Sequence, residues 1–265
     1  MSSIAQHFLD LPSGRLSYRE IGEGKPLLIL HGWGVDSSVF VPLMQKMSAY
    51  RRCIALDFPG FGASEVPKTA LTVPEVADIV SQFITHMKLE SCDLLAHSFG
   101  GRISLELLSR DTDHSRFDKI LITGGAGMKP RRTWRFYYRK YLAKTLKAPF
   151  ALLPLALRER GLEALRKTSL WKSLGSSDYQ QLQGVMRETF VKTVNYYQEA
   201  LLPKIAHSIL LLWGEQDDAT PIYQAERLEK GLKNAALVRI AQAGHYAFMD
   251  QASSFETIAR AYFTE

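Results

Sequence analysis

The sequence predicts an α/β protein with a mostly parallel, twisted sheet of about eight strands flanked by helices. Short apolar runs alternate with helical patterns along most of the 265 residues, as expected for parallel strands that are buried on both faces. Several of these runs end in glycine-rich or polar loops, which is where parallel sheets bind ligands. The hydrophobic content of 46% is that of an ordinary globular protein.

The strand candidates differ in how deeply they should be buried. The first two flank a Pro-Ser-Gly turn signal at residues 12–14, and several of the later ones are continuous apolar runs. The predicted strands are residues 7–11, 15–21, 26–30, 53–56, 94–96, 119–123, 209–213 and 237–240. Four polar residues at or just beyond strand ends are candidate site residues: His31, Ser98, Asp217 and His245.

Helical patterns fill most of the intervals between these strands. Apolar positions recur at helical spacing over residues 37–47, 73–87, 99–110, 225–232 and 255–262. Strands that alternate with helices in this way form parallel sheets with helices on both faces.

The composition excludes several classes of protein. Residues 1–11 contain no basic region followed by a long apolar stretch, so we expect no signal peptide and a cytoplasmic location. No uncharged apolar run approaches the length of a membrane span. Cys53 and Cys92 lie in or at the start of strand patterns and should be buried, unpaired hydrophobes. We expect no metal and no cofactor, because zinc-ligand spacing and phosphate-binding glycine loops are both missing.

Ser98 lies where the apolar run 94–96 gives way to a helical pattern. Ala96 and Gly100, two positions before and after it, are small, as required where a strand and a helix pack closely at a sharp turn. Such a turn holds its central residue in a strained conformation, which is typical of functional positions. We therefore predict that Ser98 is a nucleophile on a strand–turn–helix elbow.

A serine nucleophile needs a base within hydrogen-bond reach and an acid that orients the base. Downstream of Ser98, the loop after the strand 209–213 contains three acids, Glu215, Asp217 and Asp218. His245 follows Gly244 just beyond the last predicted strand.

With these motifs in this order, the chain resembles the α/β-hydrolases over its whole length. The resemblance implies the α/β-hydrolase fold and a catalytic triad of Ser98, His245 and Asp217, which lies three residues after Gly214. Asp218 is the less favoured alternative acid, and Glu215 is less favoured still.

An oxyanion needs two donors that are aimed in advance. One is the backbone N–H of Phe99, at the start of the helix after the nucleophile. The resemblance assigns the second to the backbone N–H of Trp33, in the His-Gly-Trp-Gly segment 31–34. Alternatively, the Trp33 indole lines the acyl pocket. The resemblance implies structural roles for His31 and Asp57.

Residues 126–200 interrupt the alternation and carry the excess of positive charge. They hold 15 basic and 5 acidic residues, a net charge of +10, whereas the remainder has a net charge of −4. The resemblance implies that this segment is a helical cap over the active site, inserted into a core of residues 1–125 and 201–265. Trp134 and Tyr138 are substrate-pocket candidates in this cap.

The stretch 128–147 has eight basic residues and no acid, and three interpretations stay open. It is a solvated helix face, or a docking surface for an acidic partner or an anionic substrate, or a surface for membranes or nucleic acid, although we expect no nucleic-acid partner. The second fits an acidic carrier protein, because His-Gly-Trp-Gly followed by Asp-Phe-Pro-Gly-Phe-Gly at 57–62 resembles the esterases of pimeloyl-carrier-protein methyl ester.

Three functions are compatible with these motifs. The preferred one is a serine hydrolase that cleaves a carboxylic ester or thioester through an acyl-enzyme. The alternative is a carbon–carbon bond hydrolase that acts on vinylogous diketones. The Gly-Gly-Ala-Gly segment 124–127 resembles a segment of such enzymes. Those enzymes usually carry Asn where this chain has His97. A non-catalytic hydrolase-like binding protein is the alternative of a different class, although such proteins usually lack a triad residue.

Overall fold

The computed structural model describes residues 4–111, 116–132, 134–168 and 182–264. The chain divides into two compact units. The larger unit comprises Met1–Lys129 and Glu188–Glu265, and the smaller unit is Pro130–Arg187.

The larger unit is built on one sheet of eight strands in the order β1-β2-β4-β3-β5-β6-β7-β8. Strand β2 is antiparallel to both of its neighbours, and all other neighbouring pairs are parallel. This arrangement confirms the predicted α/β class. The strands are β1 Gln6–Leu11, β2 Gly14–Ile21, β3 Pro26–Leu30, β4 Arg52–Leu56, β5 Cys92–His97, β6 Phe117–Thr123, β7 Ile209–Gly214 and β8 Ala235–Ile240.

The central strands are buried on both faces, which explains their continuous apolar sequences. In β3, Leu28 and Leu30 belong to one hydrophobic cluster, whereas Leu27 and Ile29 belong to another. Successive side chains of a strand point to opposite faces of the sheet. The two clusters therefore lie on the two sides of the sheet, each covered by helices.

Nine α-helices occur within the described residues. Thr72 begins one of them with a capping box to Glu75, which satisfies two otherwise unpaired backbone groups. The helices are α1 Val41–Met47, α2 Val73–His86, α3 Phe99–Leu108, α4 Trp134–Lys147, α5 Leu155–Lys167, α6 Gly184–Val194, α7 Ile222–Gly231, α8 Ala247–Asp250 and α9 Ala252–Thr264.

The smaller unit contains fewer residues than the predicted segment 126–200. Residues 126–129 and 188–200 belong to the larger unit, because hydrogen bonds connect them to one another and to α3. The buried guanidinium of Arg102 donates to the carbonyl of Thr193 at 2.8 Å. Gln198 donates to the carbonyl of Arg102 at 2.9 Å through its side chain and to that of Gly127 through its backbone.

Both cysteines are buried and unpaired, as predicted. Burial raises the pKa of the Cys53 thiol to about 12, and it raises that of Cys92 to about 12 as well. No helix in the described ranges is long and apolar enough to cross a bilayer.

Candidate active site

Ser98 lies on a sharp turn between β5 and α3. Its φ angle is +52°, a value that is strained for a residue with a side chain. The turn is held by its backbone: the N–H of Ser98 donates to the carbonyl of Thr123 at 3.1 Å, and the N–H of Ala126 donates to the carbonyl of Ser98 at 2.9 Å. The geometry is that of the predicted elbow.

Small residues around the elbow are required by close backbone approach. A Cβ atom at Gly100 would lie 2.3 Å from the carbonyl oxygen of Leu30. A Cβ atom at Gly32 would lie 3.2 Å from the Cβ of Ser98 and 2.8 Å from the ring of His97. The loop after β3 therefore lies directly against the nucleophile position.

The structure brings together the three side chains that the sequence analysis selected. The Oγ of Ser98 lies 3.0 Å from Nε2 of His245, and Nδ1 of His245 lies 2.9 Å from Oδ2 of Asp217. Because a carboxylate only accepts hydrogen bonds, the Nδ1–H of His245 donates to Asp217. In the neutral ring, Nε2 is then an acceptor for the Ser98 hydroxyl, which is the tautomer a general base requires.

Burial distinguishes Asp217 from its acidic neighbours. Asp217 is buried, whereas Glu215 and Asp218 are exposed. Its Oδ1 accepts from the backbone N–H groups of Ala219 at 3.0 Å and Thr220 at 2.8 Å. The acid in contact with His245 is therefore the one that the Gly-x-x-Asp motif indicated.

Two opposing effects determine the pKa of Asp217. Burial raises this pKa, but the hydrogen bond with His245 and the donors of Thr220 outweigh burial, so the pKa lies below its ordinary value. The carboxyl group is therefore ionised at neutral pH and can stabilise a positive charge on His245.

Two backbone N–H groups near Ser98 are candidate donors to an oxyanion. Phe99 is the first residue of α3, so its N–H has no partner within the helix. Within the described ranges, no acceptor is found for the N–H of Phe99 or of Trp33. The Trp33 indole contacts the rings of Phe99, Phe61 and Phe190 edge-on, at centroid distances of 5.2, 4.9 and 5.1 Å.

His31 and Asp57 brace the neighbouring loops. The buried ring of His31 donates from Nδ1 to the carbonyl of Gly32 at 2.7 Å, and its Nε2 accepts from the N–H of Phe58 at 3.0 Å. Asp57 accepts from the N–H of Ser37 at 2.7 Å. Burial lowers the pKa of His31, so its ring is neutral and holds the loop without charge.

Two residues that contact these side chains were not predicted from the sequence. His97 is fully buried, its ring centroid lies 4.7 Å from that of His245, and its Nε2 donates to the carbonyl of His245 at 3.0 Å. Burial lowers the pKa of His97 to about 3, so the ring is neutral. Thr220 contacts both Asp217 and His245. Neither residue stands in a motif whose spacing alone indicates such a contact.

Trp134 and Tyr138 lie in α4 of the smaller unit, with 72% and 63% of their surfaces exposed. Their assignment to a substrate pocket stays a prediction. Among the described residues, no group of three or more His, Cys, Asp or Glu side chains is arranged to hold a metal ion.

Comparisons with known proteins place this chain in a family. The alpha/beta hydrolase fold family matches residues 25–252. The 2-hydroxymuconate semialdehyde hydrolase of Pseudomonas sp. (strain CF600) is 24% identical over 261 residues, covering 95% of this chain and 91% of that protein. A pimeloyl-[acyl-carrier protein] methyl ester esterase of Neisseria meningitidis serogroup A is 27% identical over 250 residues, covering 89% of this chain and 76% of that protein.

A solved structure shows the same fold. An esterase from Exiguobacterium antarcticum superposes with a TM-score of 0.75 at 22% identity, covering 97% of this chain and 99% of that chain. With its mostly parallel eight-stranded sheet and this family match, the chain belongs to the α/β-hydrolases.

Proposed function

We propose that this protein is a serine hydrolase that cleaves a carboxylic ester or thioester through an acyl-enzyme on Ser98. The observation that carries the proposal is the continuous pair of hydrogen bonds from Ser98 to His245, at 3.0 Å, and from His245 to Asp217, at 2.9 Å. A hydroxyl is a weak nucleophile at neutral pH, and a neutral imidazole at this distance is the base that it needs.

In the first half of the reaction, Ser98 Oγ attacks the substrate carbonyl carbon while Nε2 of His245 takes the hydroxyl proton. The resulting imidazolium is stabilised by the ionised Asp217, which accepts from Nδ1. The N–H groups of Phe99 and Trp33 donate to the oxyanion, and their preorganisation lowers the barrier. His245 then protonates the leaving alcohol or thiol, which departs as the acyl-enzyme forms.

In the second half, water replaces the leaving group. His245 removes a proton from the water molecule, and the resulting oxygen nucleophile attacks the acyl carbon. The tetrahedral intermediate uses the same two N–H donors and collapses by breaking the bond to Ser98 Oγ. His245 returns the proton to Oγ, which restores the free enzyme and releases the acid.

Relatives and charge together support a carrier-bound substrate. One relative is named for a methyl ester carried on acyl-carrier protein. The smaller unit has 13 basic and 3 acidic residues, and basic surfaces attract acidic proteins at a distance. We propose an acidic carrier protein as partner, with the ester or thioester that it presents as substrate.

The first experiment is a panel of p-nitrophenyl esters of increasing acyl length, with Ser98→Ala as the matched variant. We expect turnover by the wild-type protein and a loss of at least about 10³-fold in Ser98→Ala, because the nucleophile is gone. A fluorophosphonate should also label the wild-type protein stoichiometrically at Ser98.

Other outcomes identify the competing functions. One relative is named a 2-hydroxymuconate semialdehyde hydrolase, so a vinylogous diketone belongs in the panel as a chromogenic substrate. Turnover of the diketone without turnover of any ester would replace ester cleavage by carbon–carbon bond cleavage. Folded protein that neither labels nor turns over any of these substrates would contradict the enzyme and favour a binding protein.

A further inference from the structure

The hydroxyl of Thr220 lies where three groups of the candidate active site meet. Its Oγ1 is 2.9 Å from Oδ2 of Asp217, 2.9 Å from the carbonyl oxygen of Gly124 and 3.4 Å from Nδ1 of His245. Thr220 is buried, with 7% of its surface exposed, so bulk water does not compete for these contacts. A hydroxyl carries one proton, so it donates to one of the two oxygen acceptors at a time.

The backbone of Thr220 fixes this position independently of the hydroxyl. Its N–H donates to Oδ1 of Asp217 at 2.8 Å, and its carbonyl accepts from the indole N–H of Trp213 at 2.8 Å. Because both backbone groups are engaged, the side chain is presented to Asp217 by a rigid loop. The contact between the Thr220 hydroxyl and Asp217 is therefore fixed by the backbone of the loop after β7.

Gly124 lies close to both the Thr220 hydroxyl and the imidazole of His245. Its φ is +55°, and a Cβ atom there would lie 3.1 Å from the His245 ring. Thr220 thus connects the loop after β6, the loop after β7 and the ring that Asp217 orients. We propose that Thr220 is a positioning residue that holds the Asp217 carboxylate in line with Nδ1 of His245. This inference rests on the proposed function.

The physical reason lies in the rotation of the carboxylate. Two backbone N–H groups hold Oδ1 of Asp217, whereas Oδ2 is held by His245 and Thr220 alone among the described residues. When the Ser98 proton moves to His245, the imidazolium must find Oδ2 already in place, because reorganisation at that moment adds to the barrier. When it donates to Oδ2 rather than to the carbonyl of Gly124, the Thr220 hydroxyl holds Oδ2 in place in both protonation states of His245.

Thr220→Val and Thr220→Ser form the matched pair for a test. Valine keeps the shape and removes the hydroxyl, whereas serine keeps the hydroxyl. We expect kcat for a p-nitrophenyl ester to fall about 10-fold to 100-fold in Thr220→Val, the range for losing a hydrogen bond to a charged group, with KM nearly unchanged. Thr220→Ser should retain most of the activity.

Thr193→Val is the control for the loss of a buried threonine hydroxyl. Thr193 is also buried, but its hydroxyl donates to the carbonyl of Phe190 in its own helix. We expect its kcat to equal that of the wild-type protein. An equal loss of kcat in Thr193→Val and Thr220→Val would overturn the proposal, because it would show a general effect on packing.

The pH profile distinguishes positioning from a merely structural role. The hydrogen bonds of Thr220 help to lower the pKa of Asp217, so removing the hydroxyl raises that pKa. The pKa of Asp217, followed by the pH dependence of the NMR resonance of its carboxyl carbon, should therefore be higher in Thr220→Val than in the wild-type protein and in Thr220→Ser. Among the described residues, the other ionisable side chains with ring contacts to His245 are His97, whose pKa burial lowers to about 3, and Tyr246, at a ring distance of 5.4 Å. An unchanged pKa of Asp217 together with wild-type kcat in Thr220→Val would contradict the proposal.

A readout without substrate separates this inference from the proposed function. The Nδ1 proton of His245 is observable by NMR when it is shielded from exchange in the hydrogen bond to Asp217. This proton should have the same chemical shift in the wild-type protein and in Thr220→Ser. In Thr220→Val its resonance should be shifted or broadened by exchange. An unchanged resonance in Thr220→Val would contradict the positioning role, even if no ester were hydrolysed.

Discussion

The two units of this chain use charge in opposite ways. In the larger unit, which has a net charge of −4, key acids are buried and paired. Asp93 is buried and forms ion pairs with Lys25 at 2.8 Å and Arg51 at 3.0 Å, and Asp217 is held by four donors. The smaller unit has a net charge of +10, with exposed bases such as Arg131 and Lys144.

This difference predicts which substitutions should have large effects on activity and stability. Removing one partner of a buried charged pair leaves the other uncompensated, which is strongly unfavourable. An exposed charge is hydrated and screened, so its removal costs little by itself. We therefore expect large effects on chemistry from the larger unit, and selective effects on the choice of substrate from the smaller one.

The largest effect should follow from Asp217→Asn. The amide keeps the shape of the side chain but removes the charge that stabilises protonated His245, and it can hold the ring in the wrong tautomer. By analogy with serine hydrolases, kcat should fall by about 10³-fold to 10⁴-fold. Steady-state kinetics with the best p-nitrophenyl ester measure this loss.

Asp218→Asn is the matched control, since it makes the same chemical change one residue away at an exposed side chain. We expect it to retain wild-type kcat. If Asp218→Asn lost activity and Asp217→Asn kept it, the assignment of the acid would be wrong.

A smaller effect concerns stability and pH. His97 is buried with a pKa of about 3, well below that of an imidazole in an unfolded chain. The unfolded state therefore gains a proton first as the pH falls. The stabilisation from keeping His97 neutral is complete above about pH 6.5 and decreases as the pH falls toward 3, with about 2 kcal/mol lost by pH 5.

Guanidinium unfolding at pH 7 and pH 5 measures this loss. In His97→Asn the difference in unfolding free energy between the two pH values should shrink by about 2 kcal/mol. The remaining dependence includes His31, whose pKa burial also lowers. His7 is exposed, so His7→Asn should leave the difference in unfolding free energy at its wild-type value. If His97→Asn also left this difference unchanged, that result would contradict a neutral, buried His97.

The same contrast explains how far sequence reasoning reached. Strand β3 and the apolar run 94–96 were predictable because burial on both faces demands continuous apolar residues. The turn at Ser98 was predictable because the positions two residues before and after it are occupied by small residues, Ala96 and Gly100. Thr220 was not, because its role depends on Gly124, 96 positions away along the chain. The predicted segment 126–200 extends beyond the smaller unit, which ends at Arg187, because composition alone does not indicate contacts such as those with Arg102.

The smallest effect on the chemistry should come from reversing charge on the smaller unit. We expect the triple variant Arg132→Glu, Arg135→Glu, Arg139→Glu to hydrolyse a small neutral ester at nearly the wild-type rate. For an ester carried on an acidic carrier protein, its kcat/KM should fall, and the dependence on salt should weaken, because attraction between opposite charges is screened by ions.

The matched control makes the same change of net charge on the larger unit, at three exposed lysines: Lys88, Lys230 and Lys233. Replacing them by Glu should leave kcat/KM for the carrier-bound ester close to the wild-type value. If both triple variants lose kcat/KM equally, overall charge rather than the smaller unit attracts the partner. A large loss with the small ester in the smaller-unit variant would contradict docking and indicate that these arginines support the folding of that unit.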